Sequence, residues 1–249
     1  MLLKIIFILI IIYIIYILYE SDDNECYLRT IEKDGYIIIN NPYNKQEVLK
    51  NLPEGYIFID YIYEIKGCSI STFHRDITSS KYIFNTVNPV YTYIIYNNTG
   101  RLLSISPNSH KSTPFLWNRP LTIKGVGNIG VLFDCDVIHS GAINEFGDNR
   151  FAIQYKICHR DDLYKLNHLI GINKTKIGKC DNNYYYEYFL RKLSLIFPYI
   201  LNHLLTTLLQ EKPDKDSFLD YNIKILYWRF LFIIKFQKFL YQRHLNNLL

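Results

Sequence analysis

The chain of 249 residues and 29.7 kDa has room for one substantial domain with attachments. Its formal charge of +5 is small and scattered along the sequence, which argues against nucleic acid as a partner. Tyrosine is so abundant, at 23 residues, that no single Tyr serves as a functional clue.

Leu2 to Tyr19 is an apolar run broken only by Lys4. A membrane span needs roughly 20 apolar residues, with a lower limit of about 17, so the run qualifies as a transmembrane helix. The polar cluster Glu20-Ser21-Asp22-Asp23-Asn24-Glu25 follows without a small-residue cleavage site, the pattern of a retained signal-anchor. The short leading tail places the amino terminus in the cytoplasm and the body on the lumenal or external side.

From Cys26 to about His159 the texture is β. Runs such as Gly35–Ile39, Tyr56–Tyr63 and Tyr91–Tyr96 are rich in β-branched and aromatic residues. Turn clusters separate them at Asn40-Asn41-Pro42, Asn97-Asn98-Thr99-Gly100 and Gly125-Val126-Gly127-Asn128. Asn44 to Leu52 reads as a short helix closed by Pro53. Many short strands at this spacing predict a sandwich or barrel, the jelly-roll or cupin type included. After Asp161 the segments Asp162–His168, Tyr184–Phe197 and Pro198–Gln210 read as helices. Phe218–Tyr241 is an aromatic, basic segment, either packed on the domain or lying on a membrane surface. The expected organisation is an anchor over 1–20, a β domain over 26–160 and a helical region over 161–249. The five cysteines show no C-x-x-C pair and an odd count, which predicts buried or free thiols.

The chemistry centres on Ser71-Thr-Phe-His74-Arg75-Asp76-Ile-Thr-Ser79. In an extended segment, residues i and i+2 share a face, so His74 and Asp76 point together and Arg75 turns away. That is two-thirds of a two-His-one-carboxylate site for non-haem Fe(II). A second histidine, His139, ends the strand-like run Gly130–Ile138, and Arg150 opens the next strand, Arg150–Ile157. If those two strands form a hairpin, His139 and Arg150 are neighbours across it. A guanidinium there could bind a carboxylate through two parallel hydrogen bonds.

Four pieces in order resemble the phytanoyl-CoA dioxygenase-like family of Fe(II)/2-oxoglutarate-dependent oxygenases. They are His74-Arg75-Asp76; Asn98-Thr-Gly-Arg-Leu102 with Ser106-Pro-Asn-Ser-His-Lys111; His139-Ser140-Gly141 with Asn144; and Arg150. The resemblance covers about residues 35–158. It implies a mainly β (α+β) fold, a double-stranded β-helix, with C-terminal helices outside it. It also implies iron held by the catalytic group His74, Asp76 and His139, and the cosubstrate 2-oxoglutarate bound at Arg150. The implied activity is hydroxylation of a small molecule, a lipid or a protein side chain. Asn108 stands where that family has glycine, and Asn tolerates positive φ better than most residues. His110, Asp134 and Asp136 are expected to serve their loops, while Tyr61, Tyr63 and Tyr93 are positional candidates for the cavity. The alternatives are a degenerate β-helix that binds without turnover and a structural membrane protein.

Overall fold

A computed structural model describes residues 2–67, 72–111, 119–143 and 150–178, together with Phe189, Arg191, Lys192, Ser194 and Leu195. The expected helix Pro198–Gln210, the segment Phe218–Tyr241 and Asn144 lie outside the described residues, as do Cys68 and Cys180.

Among the described residues, eleven strands form two sheets. The smaller sheet has the order β1-β7-β6-β9, with β1 at Ser21–Asp22, β6 at Thr99–Ile105, β7 at Leu121–Val126 and β9 at His139–Gly141. The larger has the order β11-β4-β10-β5-β8-β2, with β3 (Tyr56–Phe58) also paired to β10. Its members are β2 (Tyr36–Ile39), β4 (Tyr61–Gly67), β5 (Tyr91–Tyr96), β8 (Ile129–Asp134), β10 (Phe151–His159) and β11 (Ile172–Gly178). An isolated bridge joins His74 to His139 and so extends the smaller sheet beyond β9.

The core follows from strand alternation. On β5, Ile94 and Tyr96 face inward, where they pack with Val131 and Phe133 of β8 and with Leu103, Ile105 and Ile123 of the opposite sheet. Tyr91, Tyr93 and Ile95 face the other way, against Val48 and Leu52. Val48 belongs to the short helix Lys45–Leu49, whose start is fixed by the Asn44 side chain accepting from the amides of Gln46 and Glu47, both at 3.2 Å. The 3₁₀ run Arg160–Leu169 covers a third cluster through Leu166 and Leu169. Gly35, with φ of 85°, is obligatory. A Cβ there would lie 2.5 Å from both His110 Nδ1 and the Val137 side chain, and no L-residue favours that backbone.

Several expectations need correction. The apolar run does form a helix, α1 (Leu2–Leu18), but no helix among the described residues is long and apolar enough to cross a membrane. Seventeen residues rise about 26 Å, against a hydrocarbon core of about 30 Å, so the transmembrane expectation is left without support. The single strand read over Tyr56–Tyr63 breaks at Ile59-Asp60 into β3 and β4. The sheet continues past His159, because β11 pairs in parallel with β4. β9 and β10 do not form a hairpin: β9 pairs with β6, while β10 lies in the other sheet between β4 and β5.

Candidate metal centre

His74 and His139 are locked together by reciprocal backbone hydrogen bonds, each amide donating to the other's carbonyl at 2.9 Å. Their rings lie 4.5 Å apart between centroids, and His139 also packs against Phe133. Each Nδ1 sits on the carbonyl two residues back, Thr72 O at 2.7 Å for His74 and Val137 O at 3.0 Å for His139. Those contacts place a proton on Nδ1 of each ring and leave Nε2 as the nitrogen turned toward Asp76, the orientation a metal-binding imidazole requires. Burial holds His139 down to about 4, so it is neutral at ordinary pH.

Asp76 completes the group from the turn after this bridge, its amide donating to Cys135 O at 2.9 Å. Its Oδ1 lies 3.7 Å from His74 Nε2 and 3.7 Å from His139 Nε2, and the three ligand atoms all fall within 4.8 Å of one another. First-row metal bonds to N and O are about 2.1 Å, which brings paired ligands to roughly 3–3.5 Å, and small side-chain rotations close that gap. Two imidazoles and one carboxylate converging from one side fit a divalent transition metal with open positions. Arg75 turns away as the alternation requires, donating to Asp136 O at 2.5 Å and Ser109 O at 2.8 Å.

The other oxygen of Asp76 is already engaged. Oδ2 accepts from Lys156 Nζ at 2.6 Å and from Thr92 Oγ1 at 2.5 Å. Lys156 also donates to Thr92 Oγ1 at 2.7 Å and Ser79 Oγ at 3.0 Å. Burial opposes the charge on Asp76, but the Lys156 ammonium beside it outweighs burial and holds the carboxyl well below its ordinary value. Burial likewise opposes the charge on Lys156, and the carboxylate outweighs it, so the ammonium stays protonated. Sequence reasoning missed Lys156 and Thr92. The available signal was phase: Ala152 and Lys156 lie on one face of β10, and the apolar Ala152 marks that face as inward.

Arg150 is buried and donates to Ala142 O, three residues beyond His139. It acts on Tyr96 across the inner face, although burial wins and pushes that phenol up to about 12. Arg150 therefore reaches the His139 segment by crossing between sheets. Of the tyrosines, the ring of Tyr61 stands 6.0 Å from the Lys156 ammonium, whereas Tyr93 is buried in the cluster on the other face of β5 and donates to Pro42 O at 2.7 Å. Asp134 and Asp136 serve their turn: Asp134 Oδ1 accepts from the Asp136 amide at 2.8 Å, and Asp136 Oδ1 accepts from Ser80 Oγ at 2.5 Å. Asn108 adopts φ of 68°, the left-handed conformation its position demands. His110 is hydrogen-bonded to the Glu32 backbone, in keeping with a loop role. Cys26, Cys135 and Cys158 are buried free thiols.

The fold and site thus define a two-sheet, jelly-roll-type domain with a preformed His–Asp–His group. No protein-family model matches the sequence, and no curated protein matches it. Among solved structures, the chain is similar to the non-heme alpha ketoglutarate dependent epimerase SnoN from nogalamycin biosynthesis, at 10% identity and a TM-score of 0.37, covering 54% of this chain and 81% of that one. It is similar to the carbocyclase SnoK of the same biosynthesis, at 14% identity and 0.38, over 54% and 83%. AviO1 from Streptomyces viridochromogenes Tue57 gives 11% identity and 0.36, over 56% and 96%. Likenesses this slight carry no chemistry to this chain; its own geometry does that.

Proposed function

We propose that this protein is a non-haem Fe(II)/2-oxoglutarate-dependent oxygenase, a hydroxylase of the phytanoyl-CoA dioxygenase-like kind. The observation that carries the reading is the convergence of His74 Nε2, Asp76 Oδ1 and His139 Nε2, both histidines being held by backbone carbonyls behind them. The strand order supports it. β4, the His74 segment, β5, β6–β7, β8, β9 and β10 switch between the sheets as the strands of a double-stranded β-helix do.

His74, Asp76 and His139 would hold the iron, which supplies the activation of dioxygen when bound. The protein's own part is geometric. The Nδ1 contacts fix the two histidine tautomers, and the Thr92 and Lys156 contacts fix the carboxylate plane. Arg150 would take the distal carboxylate of 2-oxoglutarate through paired charge-assisted hydrogen bonds. The apolar wall of Ile94, Val131 and Phe133 keeps water from the interior beside them.

Attachment to a membrane through residues 2–19 belongs to the same proposal. Leu3, Phe7, Ile8, Leu9, Ile12 and Ile15 of α1 are exposed around its whole circumference, and one charged residue, Lys4, interrupts the run. A contiguous exposed apolar surface of this kind marks a site of contact with a membrane or another apolar partner.

The test is succinate formation from 2-oxoglutarate under Fe(II) and oxygen, read against a panel of lipids and peptides. His74→Ala and Asp76→Ala are expected to abolish it, and unchanged turnover in either would overturn the ligand assignment. A second reading, a domain that binds without turnover, draws on the cationic partner Asp76 already has in Lys156. Fe(II) binding with no succinate would select that reading. Flotation with liposomes tests the attachment: the full chain should float, and a chain lacking residues 2–19 should not.

A further inference from the structure

We propose that Lys156 is the standing counter-cation of the metal centre, a positioning residue that keeps Asp76 in place as a ligand when no metal is bound. A lysine is among the residues least often buried without a partner, yet Lys156 is 1% exposed on the inward face of a central strand. Its ammonium is fully occupied by the surroundings of one carboxylate: Asp76 Oδ2 at 2.6 Å, Thr92 Oγ1 at 2.7 Å, Ser79 Oγ at 3.0 Å and Cys135 Sγ at 3.7 Å. The Tyr61 ring approaches from the side at 6.0 Å. None of these contacts uses Asp76 Oδ1, the oxygen that faces both Nε2 atoms at 3.7 Å.

The division of labour follows from this geometry. A lone carboxylate between two imidazoles in a buried site lacks a compensating charge until a cation arrives, and an ion left so is costly. Many metal-binding domains accept that cost and fold only with the ion. Here the lysine neutralises Asp76 from behind, so the ligand set stands assembled before loading. Because Oδ2 is tied to Lys156 and Thr92, only Oδ1 is presented forward. The lysine sits on β10 of the larger sheet and Asp76 on the turn after the His74–His139 bridge of the smaller, so one ion pair also ties the two together.

The inference rests on the proposed metal site only for its metal arm, and the experiment separates the two. Thermal unfolding is measured for wild type, Lys156→Met, Asp76→Asn and the double variant, each with excess chelator and again with Co(II), which resists oxidation. With chelator, Lys156→Met should melt well below wild type, and adding Asp76→Asn should recover part of that loss, because the uncompensated carboxylate is gone. Co(II) should raise the melting temperature of Lys156→Met by more than it raises that of wild type, since the metal then supplies the missing charge. Should Lys156→Met fail to fold in chelator, its recovery by Co(II) or by Asp76→Asn carries the same meaning. Strictly additive losses in chelator, or a failure to fold that neither addition rescues, would overturn the proposal and leave Lys156 a packing residue. Strong coupling in chelator with no Co(II) response from wild type would instead sink the metal reading while sustaining the ion pair.

Discussion

Glu20 gives the sharpest quantitative test, because it ties the end of α1 to the strands that carry the histidines. Its carboxylate meets the wholly buried Arg191 through Nη1 at 2.5 Å and Nη2 at 3.0 Å, Lys192 at 2.7 Å and Ser104 Oγ at 2.9 Å. Arg191 in turn donates through Nε to Ser140 Oγ at 3.1 Å, next to His139, and lies 4.3 Å over the ring of Phe73, next to His74. Burial opposes the charge on Glu20, but Arg191 and then Lys192 outweigh it and bring the carboxyl from 4.5 down to about 2. That depression corresponds to about 3 kcal/mol of folding stability at neutral pH. Because the folded value is the lower one, the contribution is complete above the unfolded value of 4.5 and is lost as the pH falls through about 2. Glu20→Gln keeps the shape and leaves the Arg191 charge buried without an anion. Urea unfolding followed by circular dichroism in mild detergent should show the variant less stable by about 3 kcal/mol at pH 7, and by less than half of that at pH 3. A gap under about 1 kcal/mol at pH 7, or one equal at both pH values, would refute the reasoning.

The remaining expectations are briefer. Arg150→Ala should raise the KM for 2-oxoglutarate about 10- to 100-fold, the worth of charge-assisted hydrogen bonds, with kcat less affected; a cosubstrate titration with an unchanged KM would remove Arg150 from that role. Gly130→Ala should cost about 1–3 kcal/mol by overpacking, because its Cβ would fall 2.2 Å from Tyr93 Oη, and a denaturation midpoint equal to wild type would contradict it. Burial pushes the Cys135 thiol up to about 12 and the Cys158 thiol up to about 11, so iodoacetamide at pH 8 should label neither until the protein is denatured. Mass spectrometry of the labelled peptides settles that point.

What could be read from the sequence, and what could not, divides along the range of the interactions involved. His74 and Asp76 were legible because an i, i+2 relation is a local property of extended backbone, and the opposite turn of Arg75 followed from the same rule. Asn108 was legible because its φ of 68° reflects a local turn requirement. The relation of His139 to Arg150 was misjudged as a hairpin because the intervening segment crosses from one sheet to the other, and no local pattern encodes that crossing. β11 was missed because Asn173, Lys174 and Thr175 are exposed along an edge, so its pattern lacks the apolar alternation that marks a half-buried strand. Lys156 was the costliest omission. Its meaning depends on the phase of β10, for which Ala152 is the local clue, and on a carboxylate 80 residues away, which no local pattern points to. Once the fold sets that phase, a residue whose chemistry argues for the surface is held inside, and the compensation it requires is found at one of the three residues singled out for the metal. The candidate ligands were therefore legible as a motif, whereas the charge balance that lets these three side chains stand together in a buried site comes from the tertiary structure.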